Sequence, residues 1–276
     1  MTLSERNTFF KIGIVFCAVC AVLTAASSVL AVPVYNEIAE NTRRPEFLFQ
    51  GFSAKFLGSN NYAVNTSMAA SVLFSLVSMI LIHFFFERTS APEILYISFF
   101  ALSFSFEAIR LILPLHFIYG FPPIYLLFSA RVLLFARFFG IFSLFAAGVC
   151  ASGLDVRKTR NVVFSIIIAV MVITIGVPID VQTWDTSFNM VVGYDSMFRM
   201  IEAFAFITTV VSFFIASNVR GSREYKYVAV GVMIAMIGRN ILLGTDNWAG
   251  PVPGILLLSA GTWFLSSKLH KIHLWL

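Results

Sequence analysis

Charge is what this sequence has least of. Asp, Glu, Lys and Arg make up 12% of the 276 residues, about half the share found in ordinary soluble domains. Lysine is missing from the interior of every long apolar run, which excludes a retinal-type Schiff base deep in a helix. Cysteine is equally scarce. Cys17 and Cys20 sit inside one apolar run and Cys150 at the end of another, and three thiols so placed make no disulfide framework. There is no HExxH, no Walker loop and no GxSxG, so the commonest metalloprotease, nucleotide-hydrolysing and serine-hydrolase sites are excluded. His83 and His116 fall near opposite ends of their runs and cannot grip one haem iron, while His270 and His273 in the tail are too few for a metal. No cofactor is expected.

What fills the space is apolar sequence. Hydrophobic residues reach 59% and phenylalanine alone contributes 31, more apolar surface than one soluble core can hide. The class is therefore all-α, a polytopic integral membrane helical bundle. The net charge of +5 is spread in short clusters between apolar runs, which fits a membrane protein and argues against nucleic acid.

Runs long enough to cross a bilayer, about 20 residues for a helix, fall at Ile12–Val34, Tyr62–Phe86, Ile94–Phe117, Pro123–Cys150, Val162–Val181, Met190–Ser217, Tyr227–Leu243 and Pro253–Ser266. These predict eight transmembrane helices. With eight, Arg6, Lys11, Arg88, Arg157, Lys158, Arg160, Arg220, Arg223, Lys226, Lys268 and Lys271 share one side, against Arg43, Arg44 and Lys55 on the other. That asymmetry predicts a bacterial-type inner (plasma) membrane protein with both termini cytoplasmic. The Val29-Leu30-Ala31 end of the first run resembles a signal-peptide cleavage site, but the run is long for one, so the first helix is expected to be retained.

Pro123-Ile-Tyr-Leu-Leu-Phe-Ser-Ala130 and Pro253-Gly-Ile-Leu-Leu-Leu-Ser-Ala260 agree at five of eight positions. Arg110-Leu-Ile-Leu113 and Arg239-Asn-Ile-Leu242 keep nearly the same offset, as do Val32-Pro33 and Val177-Pro178. This predicts a 4+4 parallel duplication of residues 1–150 and 151–276, of a kind some transporters use. The only long connection, residues 35–61, mixes charges with Phe47, Phe49, Phe52 and Phe56 and is expected to be an outer lid or interfacial helix.

The candidate site is the set of ionisable residues inside apolar sequence, because such residues are costly in a bilayer and mark function by default. Glu107, Arg110, Arg131, Arg199, Glu202 and Arg239 fall at similar depth in the outer half. Glu107 with Arg110, and Arg199 with Glu202, are three apart and predicted to pair along their helices. Arg131 and Arg239 are then left over, and Arg137 is assigned to a different neighbour. A surplus of guanidinium groups suits the carboxylate or phosphate of an anionic small molecule or lipid headgroup, with Trp184, Asp195, Asp246 and Trp248 at the mouth.

Three functions follow as expectations. The first is a transporter or membrane sensor binding such an anion. The second is a structural or accessory subunit of a larger complex, with a protein partner or as a homo-oligomer, whose buried charges assemble helices. The third is a lipid-modifying enzyme using Glu107 or Glu202, which is disfavoured because a carboxylate held ionised by arginine is a poor base.

Overall fold

A computed structural model provides the structure and describes residues 3–35, 38, 58–87, 91–153 and 159–274. The chain is nearly all-α. Helix α1 spans Leu3–Ala31 and closes in a 3-10 turn, Val32–Val34, at Pro33. Helix α2, Asn61–Phe86, is capped by the Asn60 side chain, which accepts from the Tyr62 N–H at 2.8 Å. The next run is broken into α3 (Pro92–Ser103), a 3-10 stretch (Phe104–Leu111) and α4 (Ile112–Tyr119). Helix α5 is Pro123–Ala151 and α6 is Thr159–Ile175. A hairpin of β1 (Ile179–Trp184) and β2 (Met190–Val192) follows. The chain then continues through α7 (Asp195–Val219), α8 (Glu224–Gly244) and α9 (Pro251–Leu274).

Seven helical runs among the described residues are long and apolar enough to cross a membrane, counting Pro92–Tyr119 as one; α6, with 17 residues, is shorter. Their outward faces are apolar, with Phe84, Met200, Phe204 and Val29 exposed. That is the surface lipid requires and water penalises.

Proline explains the broken third run. Pro114 has no N–H for the carbonyl four residues back, and its ring crowds that turn. The eight residues from Phe104 to Leu111 accordingly wind more tightly, as 3-10 helix. Ser98, Ser103 and Ser105 each donate to the carbonyl three residues earlier, at 2.6 to 2.7 Å, and such bonds also bend helices.

Two of the expected spans are corrected. The helix predicted over Val162–Val181 stops at Ile175, and the one predicted over Met190–Ser217 begins at Asp195. Gly176 and Pro178 end the first. The segment beyond alternates apolar and polar residues, so it pairs as a hairpin with Ile179 opposite Val192 and Trp184 opposite Met190. Most of the expected lid between Tyr35 and Asn61, including Glu37, Arg43, Arg44 and Phe47, lies outside the described residues, as do Arg88, Arg157 and Lys158.

Contacts define two ends. At the terminal end, Arg6 donates to the Phe86 carbonyl at 2.8 Å, Tyr96 to the Thr159 carbonyl at 3.3 Å and Arg220 to the Cys150 carbonyl at 3.2 Å. At the hairpin end, the Asn61 amide donates to the Tyr35 carbonyl at 2.6 Å. There too the Asn60 N–H reaches the Asp246 carbonyl at 2.7 Å, and Thr186 the Asp246 carboxylate at 2.8 Å. Helix α6 runs between these two ends and packs on α5.

The tightest helix pair is α8 with α9. A Cβ added at Gly231 would lie 3.0 Å from the Leu265 nitrogen, and one at Gly254 would lie 3.0 Å from the Leu242 nitrogen. Gly238 and Gly261 likewise face partner backbone. Small residues that let backbones touch are the usual means of helix association in lipid, where no hydrophobic force acts between helices.

Candidate functional site

Glu107 sits on the 3-10 stretch with 1% of its surface exposed. Arg137 on α5 meets it with a two-pronged grip, Nε donating to Oε1 at 2.8 Å and a terminal nitrogen to Oε2 at 2.7 Å. Arg110, one turn along, donates to the same Oε2 at 3.3 Å. This planar fork is the arrangement in which arginine binds a carboxylate most strongly.

The hairpin completes the shell. Its tip, residues 185–189, turns into the bundle and gives the Ser187 carbonyl to Arg110, which donates from Nε at 2.9 Å and also from a terminal nitrogen. Asn189 accepts from Arg137 through Oδ1 at 3.0 Å. Asp185 holds the tip in shape, accepting the N–H groups of Ser187 at 2.8 Å and Asn189 at 2.9 Å. Phe188 adopts left-handed backbone, φ 61°, which is strained for a bulky residue. Its ring is buried with Tyr35, Leu111, Leu126 and Met190, and that packing over-determines the conformation.

On the neighbouring helices Arg239 donates to Glu202 at 3.4 Å and to Asn240 at 3.0 Å. Arg239 also interacts electrostatically with Glu107 and Arg137, and Asp185 does so with Arg110 and Arg137. Three guanidinium groups therefore face three carboxylates. The space beside Arg110 and Arg137 is about 40 Å³, bounded by Leu113, Ser129, Leu133 and Phe188. Since one water needs about 10–15 Å³ by the same measure, it admits a few waters and no organic anion.

Of the six residues expected to form the site, Glu107 and Arg110 come together, and Glu202 and Arg239 form a linked second pair. The predicted pairing of Arg199 with Glu202 does not form. Arg199 turns outward to Asp195, and both side chains are exposed, at 74% and 63%. Arg239, expected to lack an acid, takes Glu202 instead. Arg131 is half-buried and stands apart, its Nε buried with no hydrogen-bond partner among the described residues. At the expected mouth, Asp246 accepts from Thr186 and Trp184 packs edge-on against Phe117 at 5.4 Å.

Arg137, Asp185, Ser187 and Asn189 were not among the expected residues. A signal for Arg137 exists. Glu107 lies 13 residues before Gly120 and Arg137 lies 15 after Pro122, so antiparallel neighbours bring them to one depth once the 3-10 rise of about 2.0 Å per residue is allowed for.

A second buried carboxylate lies at the terminal end. Glu93, at the start of α3, is 3.6 Å from Arg220, whose guanidinium also lies over the Tyr225 ring at 5.7 Å. Among the described residues no group of three or more His, Cys, Asp or Glu side chains is placed to hold a metal. No known family model, curated protein or solved structure matches the chain.

Proposed function

We propose that the chain is a membrane-embedded assembly subunit whose buried charges dock helices and hairpin into one unit for a larger complex. It would cross a bacterial-type inner membrane eight times, α6 being the fifth crossing, with both termini on the positively charged cytoplasmic side. The observation that carries this reading is the engagement of charge at the hairpin end: every guanidinium of the cluster already meets a carboxylate, Arg110 and Arg137 sharing Glu107 and Arg239 taking Glu202, and the adjoining space has room for only a few waters. Buried ionic groups of this kind specify how elements fit together. The proline-led helices α5 and α9, each following a buried arginine, support two duplicated halves, residues 1–150 and 151–276.

The test is the mass of the full chain extracted from its own membrane in mild detergent. A stoichiometric complex that dissociates in the Glu107→Gln variant is expected; a monomer in both samples overturns the proposal.

A second reading, an anion-binding sensor or transporter, is favoured by Arg131, whose Nε is buried with no hydrogen-bond partner among the described residues, and by the Ser187 carbonyl occupying Arg110 as a displaceable ligand. A rise in melting temperature with glycerol phosphate, lost in Arg131→Gln, would support it over the first.

A further inference from the structure

A second cavity has none of the charge-cluster side chains in its lining. It is a groove of about 850 Å³ between α2, α3 and α9, walled by aromatic side chains such as Phe85, Phe100 and Trp263. Along α2 it runs from Ala70 to Phe86, and along α9 from Ile255 to Lys271. Sixteen residues of helix measure about 24 Å, most of the roughly 30 Å hydrocarbon core of a bilayer. Two hydroxyls of the wall are taken up by backbone, Thr262 donating to the Leu258 carbonyl at 2.8 Å and Ser267 to the Phe264 carbonyl at 2.9 Å, and most of the other lining side chains are apolar. The groove therefore offers its occupant an apolar surface.

Its terminal end is different. Lys271 is exposed there and has no ion pair among the described residues. Beside it, the His270 ring stands edge-on to Phe86 at 5.5 Å, and its Nδ1 is buried with no hydrogen-bond partner among the described residues. The neighbouring cations are engaged, Lys268 with Glu224 at 3.1 Å and Arg6 with the Phe86 carbonyl. An apolar trough of membrane length that ends at a free ammonium group matches one occupant, an amphiphile with hydrocarbon tails and an anionic head. Bulky rings on three walls keep another helix's backbone at a distance, whereas transmembrane helices associate through small residues.

We propose that this groove is a binding site for an anionic phospholipid, its acyl chains between α2 and α9 and its phosphate at Lys271 and His270. This goes beyond the assembly role, since none of its residues belongs to the charge cluster.

Trp263 reports occupancy directly. The full chain carrying Trp184→Phe, Trp248→Phe and Trp275→Phe is reconstituted in vesicles of brominated phosphatidylglycerol or brominated phosphatidylcholine, and bromine quenching of Trp263 fluorescence is measured. The expected result is about a fivefold preference for phosphatidylglycerol, the effect of one cation near the headgroup plane. Lys271→Gln should bring the preference close to unity and Lys271→Glu should reverse it; both replace an exposed side chain and leave the fold intact. Equal quenching by the two lipids in the parent overturns the proposal. So does a preference that survives Lys271→Glu, or the absence of quenching by either lipid, as when a partner helix fills the groove.

Discussion

At the α8–α9 contact two helices meet through bare backbone, and at the hairpin end a broken helix, a straight helix and a loop meet through charge. Both lie inside the bundle, yet they rest on different physics. Glycine contact gains dispersion and costs little when separated, because each helix can face lipid alone. Charge contact cannot be undone so cheaply: an unpaired Glu107 or Arg137 would face hydrocarbon. The glycine pair sets how closely two helices approach, whereas the charge cluster dictates which elements must be present together.

The comparison is broken most severely at Glu107. Glu107→Gln leaves Arg137 and Arg110 buried without their carboxylate, and breaking one side of a buried pair costs about 3–5 kcal/mol. Denaturant unfolding in detergent should show that loss. The double replacement Glu107→Gln with Arg137→Met should be milder than the two single losses added together. Additive losses would mean that the two residues act independently and that the cluster does not couple the 3-10 stretch to α5.

Gly238→Ala tests the other side. The new methyl meets the backbone of Leu257 and Leu258, not a movable side-chain tip, and overpacking of that kind costs about 1–3 kcal/mol. The same measurement applies. An effect as small as that of Gly244→Ala, where no atom lies within reach of the added carbon, would show that the helices separate freely.

How far each region was legible in the sequence follows from the same contrast. Helices could be read because lipid demands long apolar runs, and the turn at Gly120, where φ is +62°, falls where glycine and two prolines announce it. The close-packed seam of Gly231 with Gly238, and of Gly254 with Gly261, was not among the expectations and emerged only from the structure. Glu107 and Arg110 stood out as charges in apolar sequence. Arg137 stood out with them, but its pairing with Glu107 did not, because it is made across helices, and Ser187 contributes only its carbonyl, which any residue possesses. Intrahelical spacing placed Arg199 with Glu202, but position 199 lies on the outward face, where Asp195 four residues back is the nearer acid.

Asp185 is a graded test of the loop's share. Asp185→Ala removes the acceptor of two backbone N–H groups and one carboxylate facing Arg110 and Arg137. A cost of about 1–3 kcal/mol is expected, together with new protease sensitivity at residues 185–189. Arg199→Ala should cost no more than about 0.5 kcal/mol, since its pair with Asp195 is exposed and screened. A larger loss would place Arg199 inside an interface with another chain.

The smallest effect belongs to pH at the hairpin. The Gln182 N–H donates to Asp180 Oδ1 at 2.9 Å and the Thr183 hydroxyl to Oδ2 at 2.8 Å. These bonds hold this carboxyl below the usual carboxylate range. A group with a depressed folded value stabilises the fold above its unfolded value, about pH 4 for aspartate, and that contribution disappears as pH falls through the folded value. Trp184, at the end of β1 against Phe117, reports the change. Between pH 5 and pH 2 its fluorescence should shift in the parent, while in Asp180→Asn that titration should be absent. An identical pH profile in the two proteins would mean that the tip is held by Asp185 and the arginines alone, and that this strand end adds nothing to the latch.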